Sequence, residues 1–105
     1  MTVIDIANEY SKTPGGRFIK EGPFSGEDFR KSILKPKYQK AISEGDCLRV
    51  ILDGGYGYPP SFLEEAFGGL ARELKDPRIL NIEIISDEEP AQIDNIRKYI
   101  EDALK

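Results

Sequence analysis

The fold is decided by residues 48–70, LRVILDGGYGYPPSFLEEAFGGL. The apolar run 48–53 predicts a strand, the glycine- and tyrosine-rich segment 54–58 a loop, and residues 60–70 a helix. Ser61 is therefore expected at a helix start. A serine at that position can cap the helix, become a phosphorylation switch or serve as a nucleophile, and the rest of the sequence has to decide among these roles.

Strand and helix signals alternate along the rest of the chain, without a repeat, a linker or a low-complexity segment. In the first half of the chain we predict a strand at 2–6, a turn at 14–16, a strand at 17–20, a helix from Ser25 to Pro36 and a short helical piece around Tyr38, Ala41 and Ile42. The strand at 48–53 follows. In the second half we predict a helix from Ser61 to about Asp76, a strand at 79–85 and a helix from Pro90. The first two strands are expected to form a hairpin. The sequence thus predicts an α/β sandwich with a mixed four-stranded sheet and three to four helices, in the order β-β-α-β-α-β-α.

The expected core comes from three apolar patterns. Both faces of the strand at 48–53 are apolar, so we expect that strand to be central. Two helices carry apolar stripes, namely Phe62, Leu63, Ala66, Phe67, Leu70 and Leu74 in one, and Ile93, Ile96, Ile100 and Leu104 in the other. Ser25 with Asp28, and Ser61 with Glu64, each have the spacing of a capping box.

Composition narrows the function classes. The chain has 105 residues, which is the size of a single domain spanning 1–105. Its 15 basic and 19 acidic residues are interspersed and give a net charge of −4, which disfavours a general nucleic-acid binder. Cys47 is the only cysteine, so we expect no disulfide and no cysteine-based metal site. With no signal-peptide pattern and no segment of bilayer length, we expect a cytoplasmic protein that does not insert into membranes.

The sequence contains no histidine. Ser-His-Asp and Cys-His catalysis and histidine-bearing zinc sites are thereby excluded. An acyl- or phosphoryl-transfer enzyme with Ser61 as nucleophile would lack a visible base, so we predict a protein that is not an enzyme and holds no cofactor or metal.

Two features near Ser61 predict contacts. Gly68 and Gly69 are costly inside a helix, by about 1 kcal/mol each relative to alanine, so something should approach the helix closely there. That neighbour is either another part of the chain or a partner protein. Tyr56 and Tyr58 are candidates for exposed partner contacts, although tyrosines also pack down over loops.

The loop at 53–60 allows further alternatives. It follows a strand, where open α/β sheets tend to bind ligands, but its glycines lack the spacing of a nucleotide-binding loop. Asp53 and the acidic group 87–89 each follow a strand and could gather around a magnesium ion. Capping of a helix N-terminus is the simpler role for these carboxylates.

Three strings suggest a family. Gly16-Arg17-Phe18, Ser25-Gly26-Glu27-Asp28-Phe29-Arg30 and Ser61-Phe62-Leu63-Glu64-Glu65-Ala66-Phe67-Gly68 resemble the prokaryotic STAS-like domains of unknown function, which are relatives of the sulfate transporter and anti-sigma factor antagonist domains. The resemblance implies a regulatory, anti-sigma factor antagonist-like protein. It also implies that Ser61 is a phosphorylation site, modified by a partner with a histidine-kinase-type ATPase fold.

Two function classes therefore remain. The first is a non-enzymatic protein-interaction module that binds its partner around Ser61 and is switched by phosphorylation. Its predicted partner-binding residues are Tyr56, Tyr58, Pro60, Ser61, Glu64, Glu65, Gly68 and Gly69. The second is a small-molecule or nucleotide sensor that uses the loop from Asp53 to Ser61.

Overall fold

Strand β2, Leu48–Ile51, is the centre of a three-stranded parallel sheet in a computed structural model that describes all 105 residues. Its neighbours are β1, Thr2–Asp5, and β3, Glu83–Ile85. Val50 pairs with Ile4 on one side and Ile84 on the other. The prediction of a central strand is confirmed.

The helices surround this sheet. A short helix, Ile6–Glu9, follows β1 directly, and Ala91–Leu104 is the last element. Two longer helices, 26–43 and 60–74, each contain a π-helical segment, Arg30–Leu34 in the first and Glu64–Gly68 in the second. Their α-helical parts are Gly26–Phe29, Lys35–Ser43, Pro60–Leu63 and Gly69–Leu74. Two 3-10 turns, Ile19–Glu21 and Pro77–Asn81, complete the structure. No helix combines the length and the apolar character needed to cross a membrane.

The predicted strand at 17–20 and the N-terminal hairpin were wrong. The backbone N–H groups of Arg17 and Phe18 both donate to Glu21 Oε1, at 3.1 and 2.7 Å, and this local bonding takes the donors that a strand would need. The segment turns into the 3-10 helix instead. The sheet consequently has three parallel strands, not four mixed ones, and β1 pairs with β2.

Helix 26–43 begins as predicted but does not end at Pro36. Ser25 Oγ accepts a hydrogen bond from Asp28 N at 3.0 Å, which confirms the cap. A proline inside a helix lacks a donor and crowds the carbonyl four residues earlier. Here Pro36 is the second residue after the π segment, whose wider turn lets the helix continue. Tyr38 and Ala41 are buried on the continued part of the helix.

Helix 60–74 lies between helix 26–43 and helix Ala91–Leu104. Its predicted apolar stripe is confirmed, because five of the six residues are buried and Leu74 packs against them. In the last helix Ile96 and Ile100 are buried, whereas Ile93 lies on the boundary. The start of helix 60–74 is thus fixed by the core and presented at the carboxyl end of β2.

Candidate functional site

Ser61 is the second residue of helix 60–74 and is half-buried. The helix begins at Pro60, the residue at the N-cap is Pro59, and no side chain caps the helix. The predicted capping box of Ser61 and Glu64 was therefore wrong. Proline is favoured in the first helical position. With Pro59 at the N-cap and Pro60 first in the helix, Ser61 lies two residues past the position from which a side chain caps the helix.

Glu64 binds two arginines instead of the helix start. Its carboxylate accepts hydrogen bonds from Arg17 and from Arg72, the latter at 2.5 Å. Burial would raise the pKa of the Glu64 carboxyl, but these two arginines outweigh it and hold the pKa below its ordinary value. Glu64 is a negative charge that is almost fully compensated by its neighbours.

Glu65 forms the most buried ion pair of the chain. Arg30 Nη1 donates to the Glu65 carboxylate and, at 2.8 Å, to the Glu65 main-chain oxygen. Both side chains are only 10% exposed. Arg17 and Arg72 each come within 3.5 Å of Glu65 Oε1. The pair thus joins the π segment of helix 26–43 to that of helix 60–74.

These contacts form one network, which we call the arginine network. Its members are Arg17, Arg30, Lys35, Arg72, Glu64, Glu65 and Glu73. Sequence reasoning assigned no chemistry to Arg17 or Arg30. The signal that could have located the network is the pair of adjacent glutamates within the otherwise apolar stretch 62–70, because buried carboxylates need cationic partners.

Gly68 and Gly69 make room for this network. A Cβ on Gly69 would collide with the guanidinium of Arg30, and a Cβ on Gly68 would lie 2.5 Å from Glu64 Oε2. The close approach predicted from the two glycines is therefore made by the chain itself. Glu65, Gly68 and Gly69 are buried, so a partner would reach them only if the arginines moved away.

The two tyrosines of the loop differ in environment. Tyr56 is 83% exposed. Tyr58 donates its hydroxyl to the Leu52 main-chain oxygen at 2.8 Å, and its ring lies 6.0 Å from that of Phe62. Burial, together with nearby carboxylates, raises the pKa of the Tyr58 hydroxyl above its ordinary value. Tyr58 thus fixes the loop to Leu52 and Phe62. Tyr56 is exposed and can contact a partner.

The carboxylates at the strand ends bind backbone groups. Asp53 accepts hydrogen bonds from the N–H groups of Asp87 and Glu88 at 3.0 and 2.9 Å, and Glu88 accepts one from Gly54 at 2.8 Å. These hydrogen bonds hold the loops after β2 and β3 together. No group of three or more acidic or cysteine side chains converges where a metal could bind.

A pocket of about 180 Å³ lies beside the hydrogen bonds of Asp53 and Glu88. Its walls come from the loops after β2 and β3, with Leu52, Tyr56, Tyr58, Ser86, Glu88 and Glu89 among the lining residues. Tyr56, Tyr58, Pro60 and Ser61 are consecutive or nearly so in the chain and lie at this end of the sheet. We call these four residues the Ser61 surface.

Acidification is expected to weaken the fold through Glu64. A carboxyl whose pKa is lower in the folded state contributes stability above its unfolded pKa, about 4.3 for glutamate, and loses it as the pH falls through the folded value. We expect Glu64→Gln to cost about 1 kcal/mol or less at neutral pH, because the ion pairs are partly exposed, and to cost less at pH 3 than at pH 7. Urea unfolding at both pH values measures this. A cost that did not change with pH would contradict the role of Glu64.

Comparison with known proteins gives one match. The family described as STAS-like domain of unknown function (DUF4325) matches residues 25–90, which is more than half of the chain. No curated protein and no solved structure matches. The matched region contains both long helices, β2 and β3, and thus the whole Ser61 surface.

Proposed function

Since the chain belongs to the family of STAS-like domains of unknown function, we propose that it is a regulatory protein-interaction module without catalytic activity. The observation that carries the proposal is the Ser61 surface, where the exposed Tyr56 and Pro60 adjoin a helix start that is fixed by the core. Tyrosine is enriched among the residues that contribute most to binding in protein interfaces. The nearest carboxylate along the helix, Glu64, is paired with two arginines and is a poor base, which supports a binding role over a nucleophilic one.

We further propose that phosphorylation of Ser61 switches this surface. On a helix, residues three and four apart are neighbours, so a phosphate on Ser61 would lie beside Glu64 and Glu65. The arginine network already compensates both carboxylates. Repulsion of the phosphate is therefore reduced, and Arg17, which is one-third exposed, can exchange Glu64 for the phosphate. The modification would add charge to the Ser61 surface and loosen the segment that carries Arg17.

The proposed partner is a protein with a histidine-kinase-type ATPase fold. This part of the proposal rests on the resemblance of the chain to anti-sigma factor antagonists. The partner would bind the unmodified Ser61 surface, phosphorylate Ser61 and then dissociate.

A second candidate function is the sensing of a small molecule. The pocket beside Tyr56 lies beyond the carboxyl ends of two parallel strands, where α/β sheets commonly bind ligands. Its volume of about 180 Å³ is below the range of ~300–1,000 Å³ that is usual for ligand sites. A ligand that this pocket enclosed would therefore be smaller than a nucleotide.

The test measures phosphorylation and binding separately. The tagged chain is incubated with ATP in its native lysate, and intact mass with peptide mapping shows whether Ser61 gains a phosphate, with Ser61→Ala as the blank. Partners retained by the wild type are purified and titrated by calorimetry. We expect Ser61→Glu to weaken binding by about tenfold or more, equivalent to ~1.4 kcal/mol.

The matched control is Ser43→Glu, which adds the same charge at an exposed serine at the end of helix 26–43. We expect it to bind as the wild type does. Equal binding of Ser61→Glu and the wild type would refute the switch, and a small molecule that raises the melting temperature in the absence of any protein partner would favour the second candidate.

A further inference from the structure

The negative charge of the chain is concentrated at the carboxyl ends of the three strands. Five carboxylates gather there, those of Asp5, Asp53, Asp87, Glu88 and Glu89. The cation that hydrogen bonding places beside them is Lys12, whose main-chain oxygen accepts from Tyr56 N at 2.8 Å. With these five acidic residues and Lys12 set aside, acidic and basic residues are equal in number in the rest of the chain. The net charge of −4 therefore belongs to this end of the sheet.

None of these five carboxylates forms an ion pair. Asp53 and Glu88 accept hydrogen bonds from neutral backbone N–H groups only. An ionised carboxylate can accept about four hydrogen bonds, so both keep acceptor sites for a further donor. Their charge is felt at Tyr58. After burial, the carboxylates of Asp5, Asp53 and Glu88 are what raises the pKa of the Tyr58 hydroxyl, and no cation lowers it.

The pocket of about 180 Å³ described above lies among these carboxylates, and we call it the strand-end pocket. Asp53, Glu88 and Glu89 line it together with Tyr56 and Tyr58, whereas no lysine or arginine does. Carboxylates attract a cation by charge, and the face of a tyrosine ring attracts it through its quadrupole. Ligand sites usually span ~300–1,000 Å³, so the smaller strand-end pocket suits one side chain better than a whole ligand.

The loop that carries Tyr56 is ordered although the ring is 83% exposed. Tyr56 N donates to Lys12 O, and Gly54 N donates to Glu88 Oε1 at 2.8 Å. The φ angles of Gly54 and Gly57 are +95° and +128°, in the region that favours glycine, and they fix the turns on either side of Tyr56. A surface that is ordered before binding loses less entropy when its partner arrives.

We propose that the strand-end pocket receives a lysine or arginine side chain of the partner protein. The stem of that side chain lies along the Tyr56 ring, and its cationic end lies against the carboxylates of Glu88 and Glu89. Charge complementarity decides for a basic side chain, because five carboxylates outweigh Lys12 at this end of the sheet. The inference rests on the proposed interaction module, whose partner chemistry it names. It does not rest on the switch, because these carboxylates are present whether or not Ser61 carries a phosphate.

Three fluorescent ten-residue peptides test the charge of the occupant. They share a glycine-serine frame and differ at two central residues, which are both arginine, both citrulline or both glutamate. Citrulline has nearly the shape of arginine without its charge. Fluorescence anisotropy measures affinity for the full chain, and amide chemical shifts locate the binding site. We expect the arginine peptide to bind about fivefold more tightly than the citrulline peptide, to weaken with added salt and to shift the amides of Tyr56, Gly57 and Glu88.

The variant Glu88→Gln/Glu89→Gln removes two charges from the pocket and keeps an amide oxygen that can accept the hydrogen bond of Gly54 N. We expect it to weaken the arginine peptide by about fivefold and to leave the citrulline peptide unchanged. The matched control is Glu44→Gln/Glu101→Gln, which removes the same charge at two exposed carboxylates outside the pocket that form no ion pair. It should bind the arginine peptide as the wild type does.

The proposal is overturned if the arginine and citrulline peptides bind equally, if the pocket variant behaves as its control does, or if the shifts fall outside the loops after β2 and β3. It is also overturned if free agmatine, a small guanidinium compound, binds as tightly as the arginine peptide, because the pocket would then serve a small molecule. No cellular partner enters this test. Its failure therefore refutes this inference alone, whereas the absence of an ATPase partner from the lysate experiment refutes the proposed partner alone.

Discussion

Replacing Arg30 with methionine is expected to lower the free energy of unfolding by about 3–5 kcal/mol. Arg30 supplies two hydrogen bonds to Glu65, one to the carboxylate and one to the main-chain oxygen, and both side chains are almost buried. Methionine keeps most of the apolar stem but leaves the Glu65 carboxylate without its closest cation. Arg17 and Arg72 reach only its other oxygen, Oε1, at 3.5 Å. Urea unfolding followed by circular dichroism measures the loss.

Arg72→Met is the matched control for this prediction. Arg72 binds the same network, but its side chain is 45% exposed, so its removal should cost about 1 kcal/mol or less. The double variant Arg30→Met/Glu65→Leu should recover most of the loss, because it removes the buried charge together with its partner. Equal costs for Arg30→Met and Arg72→Met would show that burial of the pair does not contribute to stability.

The elements that could be predicted from sequence are those with a long apolar stripe or with apolar residues on both faces. Helix 60–74 has an apolar stripe over four turns, and β2 is apolar on both faces, so their type and central position followed directly. The strand at 17–20 failed because four residues carry little periodicity. Local hydrogen bonds to Glu21 decided the conformation of that segment, and the periodicity of apolar residues gives no information on such bonds.

Pro36 failed as a helix end for a related reason. A proline predicts a break when the preceding turn is α-helical. The π segment Arg30–Leu34 changes the spacing of the carbonyls, and it packs against helix 60–74, a contact that no local pattern contains. The prediction of a short helical piece after Pro36 was nevertheless right, since Tyr38 and Ala41 face the core.

The candidate site could be predicted in position but not in its electrostatics. The sequence located Ser61 at the start of a helix after the central strand, and the two glycines indicated a close neighbour. It could not identify the neighbour of Gly69 as Arg30, which lies in the other long helix and bonds to Glu65 across 35 residues of chain. The chemistry around Ser61 depends on this contact and on Arg17, which is 47 residues from Glu64.

Phe62→Ala is expected to cost about 3–5 kcal/mol of folding stability, the range for removing a large buried aromatic side chain. Phe62 is fully buried beside Ser61. Its ring centroid lies 5.7 Å from that of Phe29, 6.0 Å from that of Tyr58 and 6.4 Å from that of Tyr10. The cavity would therefore loosen helix 26–43, the tyrosine loop and the N-terminal segment at once.

The control is Phe18→Ala, which truncates the same side chain where it is 39% exposed and should cost about 1 kcal/mol or less. Urea unfolding of both variants measures the costs, and amide hydrogen exchange shows where the structure loosens. We expect Phe62→Ala to speed exchange in the first turn of helix 60–74 and in the loop at 53–58, because both rest on this ring. If Phe62→Ala cost no more than Phe18→Ala, the Ser61 surface would not be supported by the aromatic core, and its rigidity, on which the proposed docking depends, would need another source.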